Sequence, residues 1–248
     1  MSTFFREHII DIARVSSQTV VDTLNVHGVI TFEHIYETSH FLKLCNKIGT
    51  VYSHPDADYK GITSIEYKPT PIAKPGLLGF TKKNLIPHTD RATVINPPFY
   101  TSLLCIKPAI DGGDTILVDG KKIYNEMKMN FTEELSILEK PDIAIFGRGK
   151  DQLVSAIFAE VDLLHSNKFL RFRYDDVSYF SAEAIESINI FLSLVYKYKH
   201  EFRLEYGQGY IVQNGRWLHG RSAFDGERLM YRVLINSSSA NSDFGFSF

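Results

Sequence analysis

A chain of 248 residues, 44% hydrophobic and 23% charged, has the composition of a globular protein and the length for one large domain over 1–248. Its formal net charge of −2 excludes a strong electrostatic pull towards nucleic acid or an anionic membrane, and no apolar run approaches the roughly 18 residues of a membrane helix. Cys45 and Cys105 are too few for a disulfide framework or a zinc ribbon, and Glu7 and Asp11 break the apolar N-terminus, so a reducing cytoplasm is expected rather than secretion.

In chain order, the first fifty residues predict helix, strand and helix. The run "SQTVVDTLNVHG" ends at Gly28, a residue suited to a helix C-terminus, and "GVITFEHI" then alternates as a β-branched, aromatic strand does. "SHFLKLCNKIG" carries Phe41, Leu42, Cys45 and Ile48 at helical spacing and stops at Gly49. From residue 50 to about 120 the runs "ITSIEY", "LLGF", "YTSLLCIK" and "DTILVDG" are short, β-rich and divided by Pro and Gly. That spacing points to a sandwich or barrel rather than a parallel βαβ sheet. Residues 121–140 read as peripheral helix and "FLRFRY" as strand. "SAEAIESINIFLSLVYKYKH" has the strongest helical pattern. Ser181 can cap its start, Glu183 and Glu186 favour the positive end, and Ile185, Ile188, Leu192 and Val195 form one apolar face. "GYIVQNGRWLHG" and "RLMYRVLINS" read as strands, and the tail from about 238 as loose. The 18 Phe and 13 Tyr suit a β-rich core, because flat rings pack well on pleated sheets.

Two His-x-Asp pairs stand out among nine histidines. Residues two apart on a strand project from one face, so His88 and Asp90 in "NLIPHTDRAT" offer a nitrogen and an oxygen to one ion if a strand runs or ends there. Pro87 favours this by fixing its own φ near the extended range and biasing Ile86 likewise. His54 and Asp56 in "SHPDADYKG" flank Pro55 among polar and breaker residues, which reads as a turn whose Asp56 or Asp58 bonds its own backbone. A lone pair of this kind arises readily by chance, so its weight comes from companions. They are Thr115 in "DGGDTILVDG", 25 residues after Asp90; His219 in "NGRWLHGRSAFDG"; and Arg228 and Arg232 in "GERLMYRVLI", nine and thirteen residues after that histidine.

In this order and spacing the HTD, GGDT and LHGR-then-RxxxR motifs resemble the iron(II)- and 2-oxoglutarate-dependent dioxygenases of the TauD/TfdA (taurine dioxygenase, clavaminate synthase-like) family, from about residue 28 to residue 236. The resemblance implies a mainly β, α+β fold with a double-stranded β-helix (jelly-roll, cupin-like) core and flanking helices. It implies Fe(II) held by His88, Asp90 and His219, with 2-oxoglutarate and O2 as cosubstrates. Three ligands on one face of an octahedron leave three positions open, which suits non-haem iron(II), whereas a structural zinc site is closed by a fourth protein ligand. Arg228 resembles the arginine that anchors the distal carboxylate of 2-oxoglutarate, where a planar guanidinium matches a carboxylate as lysine cannot. Thr115 matches the threonine that donates to the same carboxylate. Arg232 lies four residues on, hence on the same strand face, at a position the family uses for an acidic group of the substrate or for the 2-oxoglutarate C1 carboxylate.

Three further residues are candidates for the substrate. Asn84 matches a position near the substrate in relatives, and Glu66 in "SIEYK" is a candidate receiver of an amine. Arg91 directly follows the triad aspartate. Alternation sends it to the opposite face, although the twist of a strand end can bring it to the pocket rim. Halogenating relatives lack the triad carboxylate, so the presence of Asp90 disfavours halogenation. The expected reaction is hydroxylation of an unactivated C–H bond in a small polar molecule, such as a free amino acid or biosynthetic intermediate, with release of succinate and CO2. Desaturation or cyclisation uses the same motifs. Two rivals of other classes are a zinc hydrolase with the same three ligands and a cupin-like metal-binding protein without turnover.

Overall fold

The computed structural model describes residues 2–69, 76–162, 167–237 and 245–247. The β-rich runs form two facing antiparallel sheets. Their strands are β1 (Val29–Phe32), β2 (Gly49–Val51), β3 (Ile62–Glu66), β4 (Leu85–His88), β5 (Tyr100–Lys107), β6 (Thr115–Asp119), β7 (His200–Phe202), β8 (Gly209–Gln213), β9 (Trp217–Arg221) and β10 (Leu229–Ser237). The larger sheet runs β1-β8-β5-β10-β2, with β3 also paired to β10; the smaller runs β7-β6-β9-β4. Strands remote in sequence lie side by side, as a double-stranded β-helix requires, and the core is the jelly roll expected.

Period-two alternation sorts the strand residues into layers. Cys105, Leu117, Tyr210, Val212, Trp217 and Met230 pack between the sheets. Their strand neighbours Leu104, Ile211 and Val233 face outwards against α2 (Ser17–His27) and α3 (Thr38–Asn46), which follow the short α1 (Thr3–Glu7). The outer face of the smaller sheet, through Ile116, Val118 and Leu218, is covered by α4 (Gly120–Asn130), α5 (Thr132–Leu138) and α6 (Ile185–Tyr198). Residues 121–140 are therefore a core layer rather than a periphery, burying Ile123, Met127, Leu135 and Leu138. The helix ends of α2 follow the sequence closely. Ser16 accepts from the Thr19 N–H at 3.0 Å, and Gly28, at φ +69°, donates to the Leu24 carbonyl at 2.7 Å.

Five local expectations are corrected. "LLGF" is not a strand: Leu78–Phe80 form a 3-10 turn. In "FLRFRY" the strand Asn167–Leu170 stops before Arg171. α3 ends at Asn46 with Lys47 as cap, and Gly49 opens β2 instead of stopping the helix. The Ser181 hydroxyl accepts no cap hydrogen bond, and the chain enters α6 through a 3-10 turn at Ala182–Ala184. The buried face of α6 is Ile188, Phe191, Leu194 and Val195, leaving Ile185 60% exposed, because Phe158 and Phe172 draw Phe191 inwards. Of the tail expected to be loose, residues 238–244 and 248 lie outside the described residues. Phe246 is buried, and its N–H and carbonyl both pair with Lys168 at 2.8 Å.

The pairing of β9 with β4 slips between His219 and Arg221, where the backbone of β4 comes close. A β-carbon on Gly220 would lie 2.5 Å from the Leu85 carbonyl oxygen and 2.8 Å from the Pro87 nitrogen. Gly220→Ala is expected to cost about 1–3 kcal/mol through this overlap, read as a lower urea midpoint. An unchanged midpoint would show that the strand contact does not need glycine.

Candidate active site

The triad is assembled by strand register. β9 lies between β6 and β4, and His219 stands directly opposite His88. Opposed residues of an antiparallel pair share a face, and the two imidazole centroids are 4.6 Å apart. The chain leaves β4 at His88, and two residues later Asp90 Oδ2 lies 3.2 Å from His219 Nε2. One ligand atom from each of the three residues falls within 4.8 Å of the others. His88 Nδ1 donates to the Ile86 carbonyl at 3.0 Å, which leaves Nε2 with its lone pair for a cation. Desolvation pushes the pKa of His88 down to about 3, with His219 and Arg173 adding to the shift, so its ring is neutral. Burial opposes the charge of Asp90, yet Arg232 and then His219 hold its carboxyl well below the usual carboxylate range. Two imidazoles and one carboxylate, without a fourth ligand in the cluster among the described residues, fit an open site for iron(II).

The loop carrying Asp90 is pinned from three sides. Asn214, fully buried in the turn between β8 and β9, accepts from the Asp90 N–H at 2.7 Å and donates to the Asp90 carbonyl at 3.0 Å and the Pro98 carbonyl at 3.1 Å. The Thr89 N–H donates to the Phe172 carbonyl at 2.8 Å. Arg171 donates to the carbonyls of Ala92, Val94 and Ile95. Thr101, on the inner face of β5, donates to Asp90 Oδ2 at 2.9 Å, and Arg232 Nη1 donates to Oδ1 at 2.6 Å. Sequence reasoning missed Asn214, Arg171 and Thr101. An Arg set among Phe residues in "FLRFRY" is the one local signal that a buried guanidinium was being used.

Above the triad a cavity of about 240 Å³ opens between the sheets. Its apolar wall includes Leu77, Leu78, Phe80, Leu85 and Leu103; its polar wall includes His54, Arg91, Arg173, Arg228 and Arg232. Arg173 is paired with Asp175, and Arg221 donates to the carbonyls of Thr81, Lys83 and Ser222. Arg228 is different. It is 6% exposed, its guanidinium lies 5.8 Å from the Phe224 ring, and it has no hydrogen-bond or ion-pair partner among the described residues. Arg232 and Arg91 each keep a buried Nε without a partner. Arg91 reaches the cavity because its φ of +56° breaks the alternation that would have turned it away.

The other predicted residues divide. His88, Asp90, His219, Arg228, Arg232 and Arg91 line one cavity. Thr115 is buried at the start of β6, opposite Arg221 and Phe202, and is not on the cavity wall. Asn84 and Glu66 are both exposed and off the wall. Leu85 and Ile86 occupy the wall beside Asn84, and period two sends Ile65 into the cavity and Glu66 to solvent. His54 was read as part of a turn, and the turn is there, with the Asp56 N–H donating to His54 Nδ1 at 3.1 Å. It nonetheless brings His54 Nε2 to 3.5 Å from Arg232 in the cavity.

A jelly roll holding two histidines and a carboxylate that could hold a metal ion at one end of its sandwich, with an unpaired arginine in the same cavity, defines a protein with a cupin-like core. More narrowly, the chain belongs to the "Taurine catabolism dioxygenase TauD, TfdA family", which matches residues 5–234. Gamma-butyrobetaine dioxygenase of Homo sapiens is 23% identical over 162 residues, covering 60% of this chain and 42% of the human protein. The chain thus spans less than half the length of that relative in the match. Asparagine oxygenase, solved with Fe(II), (2S,3S)-3-hydroxyasparagine and succinate, superposes with a TM-score of 0.71 at 14% identity over 88% of this chain and 78% of its own. The non-haem iron oxygenase OrfP, solved with Fe and α-ketoglutaric acid, gives 0.67 at 15% identity over 96% and 88%. PvcB from Pseudomonas aeruginosa gives 0.66 at 16% identity over 91% and 82%.

Two outcomes follow from the geometry. Asn214→Ala removes three hydrogen bonds to the loop behind Asp90, and metal affinity measured by anaerobic Co(II) titration should fall about 10- to 100-fold. Unchanged affinity would mean the loop holds its shape without Asn214. His88 binds fewer protons folded than unfolded between about 3 and its ordinary 6.5. The stability it protects is complete above that ordinary value and declines as pH falls towards the folded one. The urea midpoint of the metal-free protein should therefore drop between about pH 7 and about pH 5, and drop less in His88→Gln. Equal slopes would show that the ring is not held neutral.

Proposed function

We propose that the protein is an iron(II)- and 2-oxoglutarate-dependent dioxygenase that hydroxylates a C–H bond of a small carboxylate-bearing molecule of the free amino-acid class. One observation carries this reading: the His88, Asp90 and His219 donors share a cavity with a buried arginine, Arg228, that lacks an anion. The water-activating chemistry of a zinc hydrolase does not require that arginine. Bound iron(II) supplies the activation of dioxygen, coupled to oxidative decarboxylation of 2-oxoglutarate to succinate and CO2.

The chain's own residues position, charge-match and desolvate. Arg228 receives the distal carboxylate of 2-oxoglutarate as a planar fork. Arg232, Arg91 and His54 meet on the substrate side, where two buried guanidinium Nε–H groups lack acceptors. They hold the substrate's carboxylate. A cation held by Asp90 would share its carboxylate with Arg232, whose remaining donors would then favour an anion more strongly. Leu77, Leu78 and Phe80 lie on the apolar side, and they exclude water from the reacting carbon. The solved relatives with hydroxyasparagine and hydroxyarginine support the amino-acid class.

Anaerobic protein loaded with both Fe(II) and 2-oxoglutarate should develop a weak visible band, absent with either alone, and release succinate on admission of air. Arg228→Ala should raise the 2-oxoglutarate Kd about 10- to 100-fold, because a charge-assisted pair is lost. Arg232→Gln should instead raise the substrate KM. Zinc-supported turnover without oxygen would overturn the assignment.

A further inference from the structure

Tyr210 sits in this cavity without a role in the scheme above. It lies on β8 directly opposite Leu103 of β5, which in turn lies opposite Arg232 of β10. Opposed residues project to the same face, so Tyr210, Leu103 and Arg232 form one row across the larger sheet, and all three line the cavity. Tyr210 is 2% exposed. Its backbone carbonyl accepts from Ser102, but its hydroxyl has no hydrogen-bond partner among the described residues. The hydroxyl opens onto the cavity, where the acceptor of a bound ligand can take the place of water.

The neighbours of that hydroxyl state what the ligand should be. Asp90, Arg228 and Arg232 all act on it electrostatically, and all three line the same cavity. The phenol therefore faces a space bounded both by the triad and by the guanidinium that lacks an anion. Burial pushes its pKa up, so the group remains a donor and needs an acceptor. A carboxylate offers acceptors only. Thr115, the hydroxyl donor suggested by the family motif, stands off the cavity wall, whereas Tyr210 stands on it.

We propose that Tyr210 donates its O–H to the same distal carboxylate that Arg228 receives, making the cosubstrate anchor a tyrosine–arginine pair in this protein. This rests on the reading of the site as one for 2-oxoglutarate. The pair selects a keto acid with a second carboxylate at the far end, because without that group both a buried cation and a buried hydroxyl remain unmatched.

The test uses full-length protein, loaded anaerobically with Fe(II), titrated with 2-oxoglutarate and with 2-oxopentanoate, which keeps the keto-acid end and lacks the distal carboxylate. Binding is read from the visible band. Tyr210→Phe deletes one oxygen and should weaken 2-oxoglutarate about 10- to 100-fold while leaving 2-oxopentanoate and Fe(II) affinity unchanged. Its thermal midpoint should stay near that of the parent, since the hydroxyl faces the cavity and makes no bond within the described residues. Adding Arg228→Ala should cost less in the Phe background than in the parent, as expected for two donors on one carboxylate. Equal weakening of both keto acids, or no loss for 2-oxoglutarate, overturns the role of Tyr210 while sparing the parent reading. Failure of the unmodified, metal-loaded protein to bind either keto acid overturns both.

Discussion

The site depends on one buried anion. Asp90 carries its charge inside the protein, 4% exposed, and it is compensated from both sheets at once. Arg232 and Thr101 reach it from β10 and β5 of the larger sheet, and His219 meets it from β9 of the smaller. Removing one partner of a buried charge typically costs about 3–5 kcal/mol, since the other is left without solvent or counter-ion. The spacing of the sheets at this end of the sandwich is thereby tied to the orientation of a ligand carboxylate. The same contacts leave one carboxylate oxygen beside the two imidazoles, which is the arrangement a divalent ion needs.

The buried cations obey the same rule with one telling exception. Arg171 and Arg221 are wrapped on backbone carbonyls, Arg173 is clamped on Asp175, and Arg232 is held by Asp90. Burial lowers Arg171 to about 10 and Arg221 to about 9, so both remain charged near neutrality. Arg228 alone in this group has no acceptor among the described residues. An arginine buried without an anion is expensive for an isolated chain, and the expense is recovered when a carboxylate arrives. This separates Arg228 from the structural guanidiniums around it.

Around these charges the scaffold is rigid where ligands must be aimed and irregular where a pocket must be shaped. His88 and His219 stand on paired strands, whereas Asp90, Arg91 and His54 come from turns. The φ of +56° at Arg91 is an uncommon conformation for a residue with a side chain, and it is stabilised by the hydrogen bonds that Asn214 and Arg171 make on either side. The identity with the solved relatives is low, yet the jelly roll superposes over most of the chain. Layered burial of alternating apolar residues can be met by many sequences, while the charge pattern at the end of the sandwich is far more restrictive.

By itself, the sequence determined the strands, because alternation and Pro or Gly boundaries are local signals, and the motif spacing singled out His88, Asp90, His219, Arg228 and Arg232. Local pattern failed where neighbours outvoted it: Phe158 and Phe172 turned the apolar face of α6, and "LLGF" became a 3-10 turn over the cavity. Only tertiary structure decided which other polar residues joined the site. It turned Arg91 inwards by a left-handed backbone angle, folded His54 back from its turn, and placed Tyr210, Thr101 and Asn214 across strands more than a hundred residues apart in part of their contacts. It sent Glu66 and Asn84 to solvent and Thr115 behind the wall. The physical reason is that a residue type and its spacing fix what chemistry is on offer, but the face a side chain shows depends on register and turns set by contacts distant in the chain.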